Sequence, residues 1–447
     1  MSERPELEPT RAAVCRGSCC HWYLVLVALL GATAPVAAQD GTPLAAQAEP
    51  APPPAAQPAA RPQRTFPPFV IQSDSGDNLI QIGALLQLDG RFVLDDPMNN
   101  VVDTFAARRL RVPIQGRVAG AFDFYFNPDF ANGAVNIRDA YFDTRFSSAF
   151  RVRLGKTKAP FGLERLHSAA SLLFIERALP TTVAPDRDLG VHALGDLAGT
   201  VVSYDVAIGN GVVDGASADV DSNDGKDLIA RIVVRPFVTR SGSSLAGLGL
   251  ALAGSHGAQP VALNGFRSAA QQLFFAYASG TNPAQGSGHR TRYSPQGFFY
   301  AGPFGGYVEW VRSTGDVQRG PEGAVVRAEV DHTAWQVALS WVLTGERVTD
   351  RGVRPASSFD PIRHSGRGAL QIAARYNELR VSQNAMDLGF AAPGSSRTAE
   401  AFAVGANWYV NPYIKWVINF ERTVFDGDPH GPRAAENALL FRGQLAF

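Results

Sequence analysis

Residues 107–118 read ARRLRVPIQGRV, and the fold turns on how that stretch divides. Arg109, Arg111, Gln115 and Arg117 share one parity, while Leu110, Val112, Ile114, Gly116 and Val118 take the other. A helix would scatter both sets around its circumference; a strand sends them to opposite faces. The alternation continues downstream. Phe122, Phe124 and Phe126 oppose Asp123, Tyr125 and Asn127; Ala140 and Phe142 oppose Asp139, Tyr141 and Asp143; Phe150, Val152 and Leu154 oppose Arg151 and Arg153. Upstream, Arg91 shares the phase of Gln81, Gln87 and Asp89, opposite Ile80, Ile82, Leu86, Leu88 and Phe92. Further alternating runs lie at 226–235, 331–343, 368–379 and 414–420, separated by Gly, Asn, Asp and Pro.

No amphipathic helix of domain length interrupts residues 71–447, so the fold class is all-β. An apolar phase repeated this often needs a large apolar surrounding. A transmembrane antiparallel β-barrel supplies it: every backbone group pairs with a neighbouring strand, the outer face is greasy and the inner face is wet. Arg108, Arg138 and Arg422 carry the outward parity, but each lies near the end of its run. There an outward charge costs about 0–1 kcal/mol, against about 2–4 at the bilayer centre. Tyr300, Trp310, Trp408, Tyr409 and Tyr413 fit an interfacial girdle at strand ends. In the last strand Phe441, Gly443, Leu445 and the terminal Phe447 alternate with Arg442, Gln444 and Ala446.

The start of the chain is consistent with export. Arg11 and Arg16 lead into the apolar run Trp22 to Leu30, and Val36 and Ala38 are the small residues of a cleavage site. The run is short of the roughly 20 residues an anchor needs, so residues 1–38 read as a signal peptide. All three cysteines (Cys15, Cys19, Cys20) precede the cut, which excludes a disulfide framework or thiolate metal site in the mature chain. Residues 39–70, rich in Ala, Pro and Gln, cannot bury a core and read as a linker; no charge run makes them a nucleic-acid tail. The barrel domain is 71–447.

Lys plus Arg and Asp plus Glu both number 41, so any anion preference must come from where charges sit. Only Lys156, Lys158, Lys226 and Lys415 are lysines. The histidines are scattered without metal-ligand spacing, and no Ser/His/carboxylate set suggests an enzyme. No cofactor is expected. A plugged transporter would need about 22 strands, too many for this length.

The runs RDAYFDTRF (138–146), RLGKTKAPFGLERLHS (153–168), IERALP (175–180), RDLGV (187–191), ALSWVLTGE (338–346), VGANWYVNPYIKWVINFERT (404–423) and ENALLFRGQLAF (436–447) resemble the phosphate-selective porin O and P family. The resemblance implies a trimeric channel of about 16 strands in the bacterial outer membrane, with a constriction loop folded inward and an arginine ladder. It also implies a phenylalanine terminus, here Phe447, presented to the barrel assembly machinery. Carried over, the loop is about Lys156 to Asp188, with Lys156, Lys158, Arg165, Arg177 and Arg187 at the narrow part. Arg91, Arg109, Arg111, Arg117, Arg151 and Arg153 then line the wall on the path of small anions. Beyond Lys156 and Lys158, the lysine cluster of a phosphate-trapping member is absent, and Glu164, Glu176, Asp186 and Asp188 share the loop.

Same-face strand neighbours are about 6.8 Å apart, so Arg109 and Arg111 repel by roughly 0.6 kcal/mol in water and 2.4 at an effective dielectric of 20. Passing anions could offset this, or Asp123, Asp139 and Asp143 could pair with the arginines and leave a generic lumen. The function expected is passive diffusion of small anions, with phosphate or polyphosphate among them. A non-selective porin, or an adhesive barrel with a closed lumen, is the alternative.

Overall fold

The computed structural model describes residues 69–447 apart from 96–101, 222, 241, 428–430 and 432. The stretches read as a signal peptide (1–38) and, but for its last two residues, as a linker (39–70) therefore lie outside the described residues. Sixteen antiparallel strands close into a barrel. The first stave is Leu79–Ile82 continued by Leu85–Leu94, and the second is Thr104–Arg111 continued by Ile114–Val118. There follow Phe122–Asp129, Asn136–Arg145, Arg151–Lys158, Arg187–Leu197, Val202–Gly209, Asp227–Val234, Leu248–Ala258, Gln285–Ala301, Phe304–Arg319, Val326–Val342, Ala369–Arg380, Thr398–Tyr409, Ile414–Asp426 and Glu436–Ala446. Closure runs through Glu436–Ala446 on Leu85–Leu94, with Gly443 opposite Leu88 and Ala446 opposite Leu85.

Glu436–Ala446 pairs with Leu85–Leu94 and leaves the edge of Leu79–Ile82 open. The short strand Val70–Gln72 fills that gap by pairing with Leu79–Ile82, and the Phe69 ring packs 5.2 Å from that of Phe447. The break in the second stave falls at Pro113, which has no N–H to give to a ladder. Its carbonyl instead accepts from the Gly83 N–H at 2.8 Å.

The parity read from the sequence holds along the strands. Leu88, Val118, Phe122, Phe142, Leu154, Leu228, Leu339, Ile372 and Phe441 are exposed on the outside, while Gln87, Asp139, Gln336, Arg375 and Arg442 are buried inside. Two off-phase charges correct it. Arg108 and Arg138 do not face outward, because each sits at a β-bulge. The register slips between Gln87 and Leu88 opposite Arg108, and between Asn127 and Pro128 opposite Arg138. A bulge adds one residue to one strand and re-aims its side chain. Both guanidinium groups thereby reach carboxylates of the inward loop. Arg422 does face outward, near the strand end, where its Nη1 donates to Asn437 at 2.9 Å. Among the girdle aromatics, Tyr300 and Tyr409 are corrected as well: they occupy the inward phase, whereas Trp310, Trp408 and Tyr413 lie on the outside.

The lumen is far from empty. Residues 159–186 fold inside the barrel, carrying the short helix Leu163–Leu166 and two 3-10 turns. A second inward segment, 259–284, was not anticipated. Its hairpin Phe266–Arg267 and Leu273–Phe275 sends Phe266, Phe274 and Phe275 into an apolar cluster with Phe161, Leu179 and Val183 of the first loop. At the opposite end, where most connections are tight turns, the connection 343–368 carries a third inward element. Its hairpin Val348–Thr349 and Gly352–Val353 packs on Val342, Ala369 and Tyr409. Tight turns face the periplasm in barrels of this class.

Candidate functional site

Residues 159–186 cross the lumen and are stapled to the far wall mainly through backbone groups. The carboxylate of Glu309 accepts from the Leu163 N–H, the Asn419 side chain from the Ile175 N–H at 3.2 Å, and the Asn377 side chain from the Leu179 N–H at 3.0 Å. In the other direction Lys415 Nζ donates to the carbonyls of Ala170 and Leu172, both at 3.1 Å, and Asn407 donates to Leu173. An irregular segment inside a barrel has unpaired peptide groups that must find partners, and the polar phase of the wall provides them. At the centre of the staple sits Arg375, fully buried. It spans Glu421 at 2.8 Å, Glu164 at 3.4 Å and the Glu176 carbonyl at 3.0 Å, with its guanidinium 4.4 Å from the Phe174 ring centroid.

Above the loop, on the side of the long connections, lies a cavity of about 580 Å³. Nine cationic side chains line it: Arg108, Arg109, Arg111 and Arg138 from the wall, Lys158, Arg165, Arg177 and Arg187 from the loop and its roots, and Arg267 from the second inward hairpin. Four carboxylates, Asp129, Glu176, Asp186 and Asp214, oppose them. The surplus is real in space although the whole chain is neutral.

The carboxylates are heavily shared. Glu176 accepts from Arg108 Nε at 2.8 Å and Nη2 at 3.1 Å, and Arg91 stands 3.5 Å away behind it. Burial alone would raise the Glu176 carboxyl, but Arg108, with Arg109 and Arg442 further off, outweighs it and brings the group down to about 2. Asp186 accepts from Arg138 at 2.7 Å and Arg187 at 3.0 Å, with Arg165 at 3.7 Å. Burial opposes ionisation there too, yet Arg165, Arg187 and Arg138 hold it well below the usual carboxylate range. Arg111 pairs with Asp129 at 2.7 Å.

Four cations are left with neutral partners only, Arg267 among them through the Gln271 carbonyl at 2.8 Å. Arg109 donates to Gln87 at 2.6 Å, Arg177 donates to the carbonyls of Glu164 and His167 at 3.1 and 2.9 Å, and Lys158 donates to those of Leu166 and His167 at 3.1 and 2.9 Å. Burial, and Arg165 nearby, bring Arg177 down to about 10, which leaves it charged at neutral pH.

The remaining residues expected on the anion path sit apart from this cavity. Arg117 pairs with Asp123 at 2.7 Å, Arg151 lies 3.9 Å from Asp196, and Lys156 is bound to Asp219. Arg153 is held by both oxygens of Asp143 at 2.7 and 2.8 Å and lies 3.9 Å over the Tyr141 ring. Gly155, opposite Tyr141 in the register, lets the two strands approach closely there. It has φ +132, and a Cβ there would meet the Ala140 carbonyl oxygen at 2.2 Å. Arg187 also binds Asp139 at 2.9 Å, so it serves wall and cavity together.

Missed from the sequence were Arg108 and Arg138, because a bulge leaves no parity signal, and Arg267, because it lies on a loop. Asp214 opens an acidic, Gly-rich stretch, 214–224, that has the composition of a solvated turn. Asp214 is instead buried, binding Arg290 at 2.9 Å and Arg292 at 2.6 Å, and those arginines do show the alternation of Arg109 and Arg111.

Two loop groups set a pH window. Burial, helped by Arg177 and Lys158 and against Glu164, brings His167 down to about 4 from 6.5. The folded state therefore resists a proton that the unfolded chain takes up, and stability is lost as pH falls from 6.5 to about 4. By about 1.36 kcal/mol per unit this is on the order of 3 kcal/mol. Glu176, lowered from 4.5 to about 2, adds stability that is present above 4.5 and lost as pH falls through 2. The temperature of heat-modified gel migration should thus be level above pH 7 and fall progressively below 6.5. His167→Gln should remove the upper part of that fall; a parent curve level down to pH 4 would contradict this account.

The sequence profile of the family described as phosphate-selective porin O and P matches residues 80–447. No curated protein is significantly similar in sequence. Among solved structures, the outer membrane channel DcaP of Acinetobacter baumannii is similar with TM-score 0.54 at 11% identity, over 84% of this chain and 99% of that one. An anion-selective porin from Comamonas acidovorans gives TM-score 0.53 at 9% identity, over 83% and 100%. Salmonella typhi OmpF in complex with daunomycin gives 0.52 at 10%, over 84% and 100%. At these identities the structural likeness is one of fold, while the profile match covers the whole barrel: the chain belongs to the phosphate-selective porin O and P family and is an outer-membrane porin.

Proposed function

We propose that this porin passes small anions by diffusion, and that the arginine-lined cavity above the crossing loop is its filter. The observation that carries the reading is the local excess of nine cations over four carboxylates in the lining of this cavity. Rings of Arg or Lys favour anions in pores, and a low-dielectric wall focuses their field. Most of these guanidinium groups are already bound to carboxylates, and lysines are few. Phosphate should therefore act as a weak blocker of chloride current, with a well of roughly 4 kcal/mol, or ~1 mM.

The assembly is a homotrimer. The wall from Phe122 to Lys158 is built of strands of only 8 to 10 residues, against 16 to 17 across Gln285–Val342. At about 3.3 Å per residue and 45° of tilt, eight residues rise roughly 19 Å, less than an apolar band of about 25 Å. Phe122, Phe126, Phe142 and Phe150 are exposed along this short wall, and contact with other copies would cover them. A trimer form is described for OmpT of Vibrio cholerae, which is similar in fold with TM-score 0.50.

Planar-bilayer recording tests both points at once. Expected are insertions in groups of three equal steps and a reversal potential of anion sign in a salt gradient. A cation-signed potential rejects the filter. No conductance at all from folded protein favours a barrel with a closed lumen, a reading to which the third inward element, at the periplasmic end, lends weight.

A further inference from the structure

Beneath the crossing loop, towards the tight-turn end, is a second cavity of about 650 Å³ that shares no lining residue with the first. Its roof is the loop around His167 and Ser171, and its floor is the hairpin that carries Val348 and Thr349. Its charge differs in kind from the space above. Four guanidinium groups, Arg231, Arg235, Arg347 and Arg351, face it with Asp350 as the one carboxylate in its lining. None of the four is ion-paired to a described residue. Arg231 donates through Nε and Nη2 to the neutral Gln296 at 3.1 and 2.9 Å, and Arg235 donates to the Ser203 hydroxyl at 3.3 Å.

The wall beside these groups is apolar. Phe298 and Tyr300 turn inward with ring centroids 5.9 Å apart, the Arg235 guanidinium lies 5.7 Å over Phe298, and Val238 and Val348 complete the surface. A small hydrated anion gains nothing from such a surface. A carboxylate on an aromatic body gains twice: the guanidinium forks match its two oxygens, and its ring can stack on Phe298 and Tyr300. The volume falls within the usual range for sites of small organic ligands.

We propose that this lower vestibule is a binding site for aromatic monocarboxylates, with the carboxylate on Arg231 and Arg235 and the ring against Phe298 and Tyr300. The site does not depend on the anion preference of the upper cavity. It also gives the inward hairpin at 343–368 a role, as the wall that encloses the ligand from below.

Equilibrium dialysis of the full-length protein in detergent, with labelled benzoate as probe and empty micelles as blank, tests it. Saturable binding is expected, with unlabelled benzoate displacing the probe at least tenfold more effectively than acetate or inorganic phosphate. The Arg231→Gln, Arg235→Gln double variant should bind at least tenfold more weakly. Should that variant fail to assemble, Arg347→Gln with Arg351→Gln on the exposed hairpin decides, with a several-fold loss expected. Absence of saturable binding, equal displacement by acetate, or unchanged binding in the deciding variant overturns the site. No current is measured, so a pore that proves non-conducting or cation-selective refutes the filter without touching this result.

Discussion

Replacing Arg109 and Arg177 together by Gln should collapse most of the anion preference of the channel at low salt while leaving the barrel assembled. A unit charge about 6 Å from a passing ion acts with roughly 0.7 kcal/mol at the dielectric constant of water. It lowers the energy of an anion by as much as it raises that of a cation, so each charge moves the permeability ratio by about tenfold before screening. At 1 M salt, where the Debye length is about 3 Å, the shift should shrink to a few-fold. These two residues are chosen because neither has a carboxylate partner. Their removal leaves no buried anion behind, in contrast to Arg111 or Arg187, whose loss would strand Asp129 or Asp139. The same substitutions at Arg151 and Arg153 should change the ratio little, because neither residue lines this cavity. A reversal potential unchanged in the first pair, or moved equally by the second, would mean that the cavity above the loop is not the filter.

That contrast also marks how far the sequence could be read. Strand parity is local, a matter of every second residue, so the inward placing of Arg109, Arg111, Arg153 and Arg375 was legible. What each of them meets is not local. Arg153 and Arg109 carry the same signal in sequence, yet one faces Asp143 across a single register step and the other only Gln87. Register between strands, not pattern within one, decides which arginine stays unneutralised. The bulges at Arg108 and Arg138 are register events as well, and so escaped. The crossing loop was placed to within two or three residues because loss of alternation is visible over thirty positions. The connections that carry the second and third inward elements, 259–284 and 343–368, were not. They are nearly as long as the crossing loop, but length alone does not say that a connection turns inward, and it is the burial of Phe266, Phe275, Val348 and Val353 that shows it.

Arg375→Met should loosen the crossing loop and widen the pore. Among the described residues Arg375 is the one cation that joins the carboxylate of the loop, Glu164, to that of the far wall, Glu421, and it also caps the Glu176 carbonyl. Methionine fills much of the same volume, so the cost lies in the charges. Breaking a buried ion pair from one side typically costs about 3–5 kcal/mol, since the partner is left uncompensated. Glu164 keeps Tyr307, Gln336 and the Ala178 N–H, at 3.2, 3.2 and 2.8 Å, whereas Glu421 loses its ion-pair partner. The cheapest relief is movement of the loop away from the wall so that water reaches Glu421. The barrel strands, paired throughout, need not open. Single-channel conductance should therefore rise, with larger open-state noise, while β-sheet circular dichroism is unchanged and the temperature of gel-mobility change falls. Adding Glu421→Gln to Arg375→Met removes the stranded charge and should restore part of the lost thermal midpoint. Unaltered conductance in Arg375→Met, or no recovery in the double variant, would locate the hold on the loop elsewhere, in the backbone contacts of Asn377, Asn407 and Asn419.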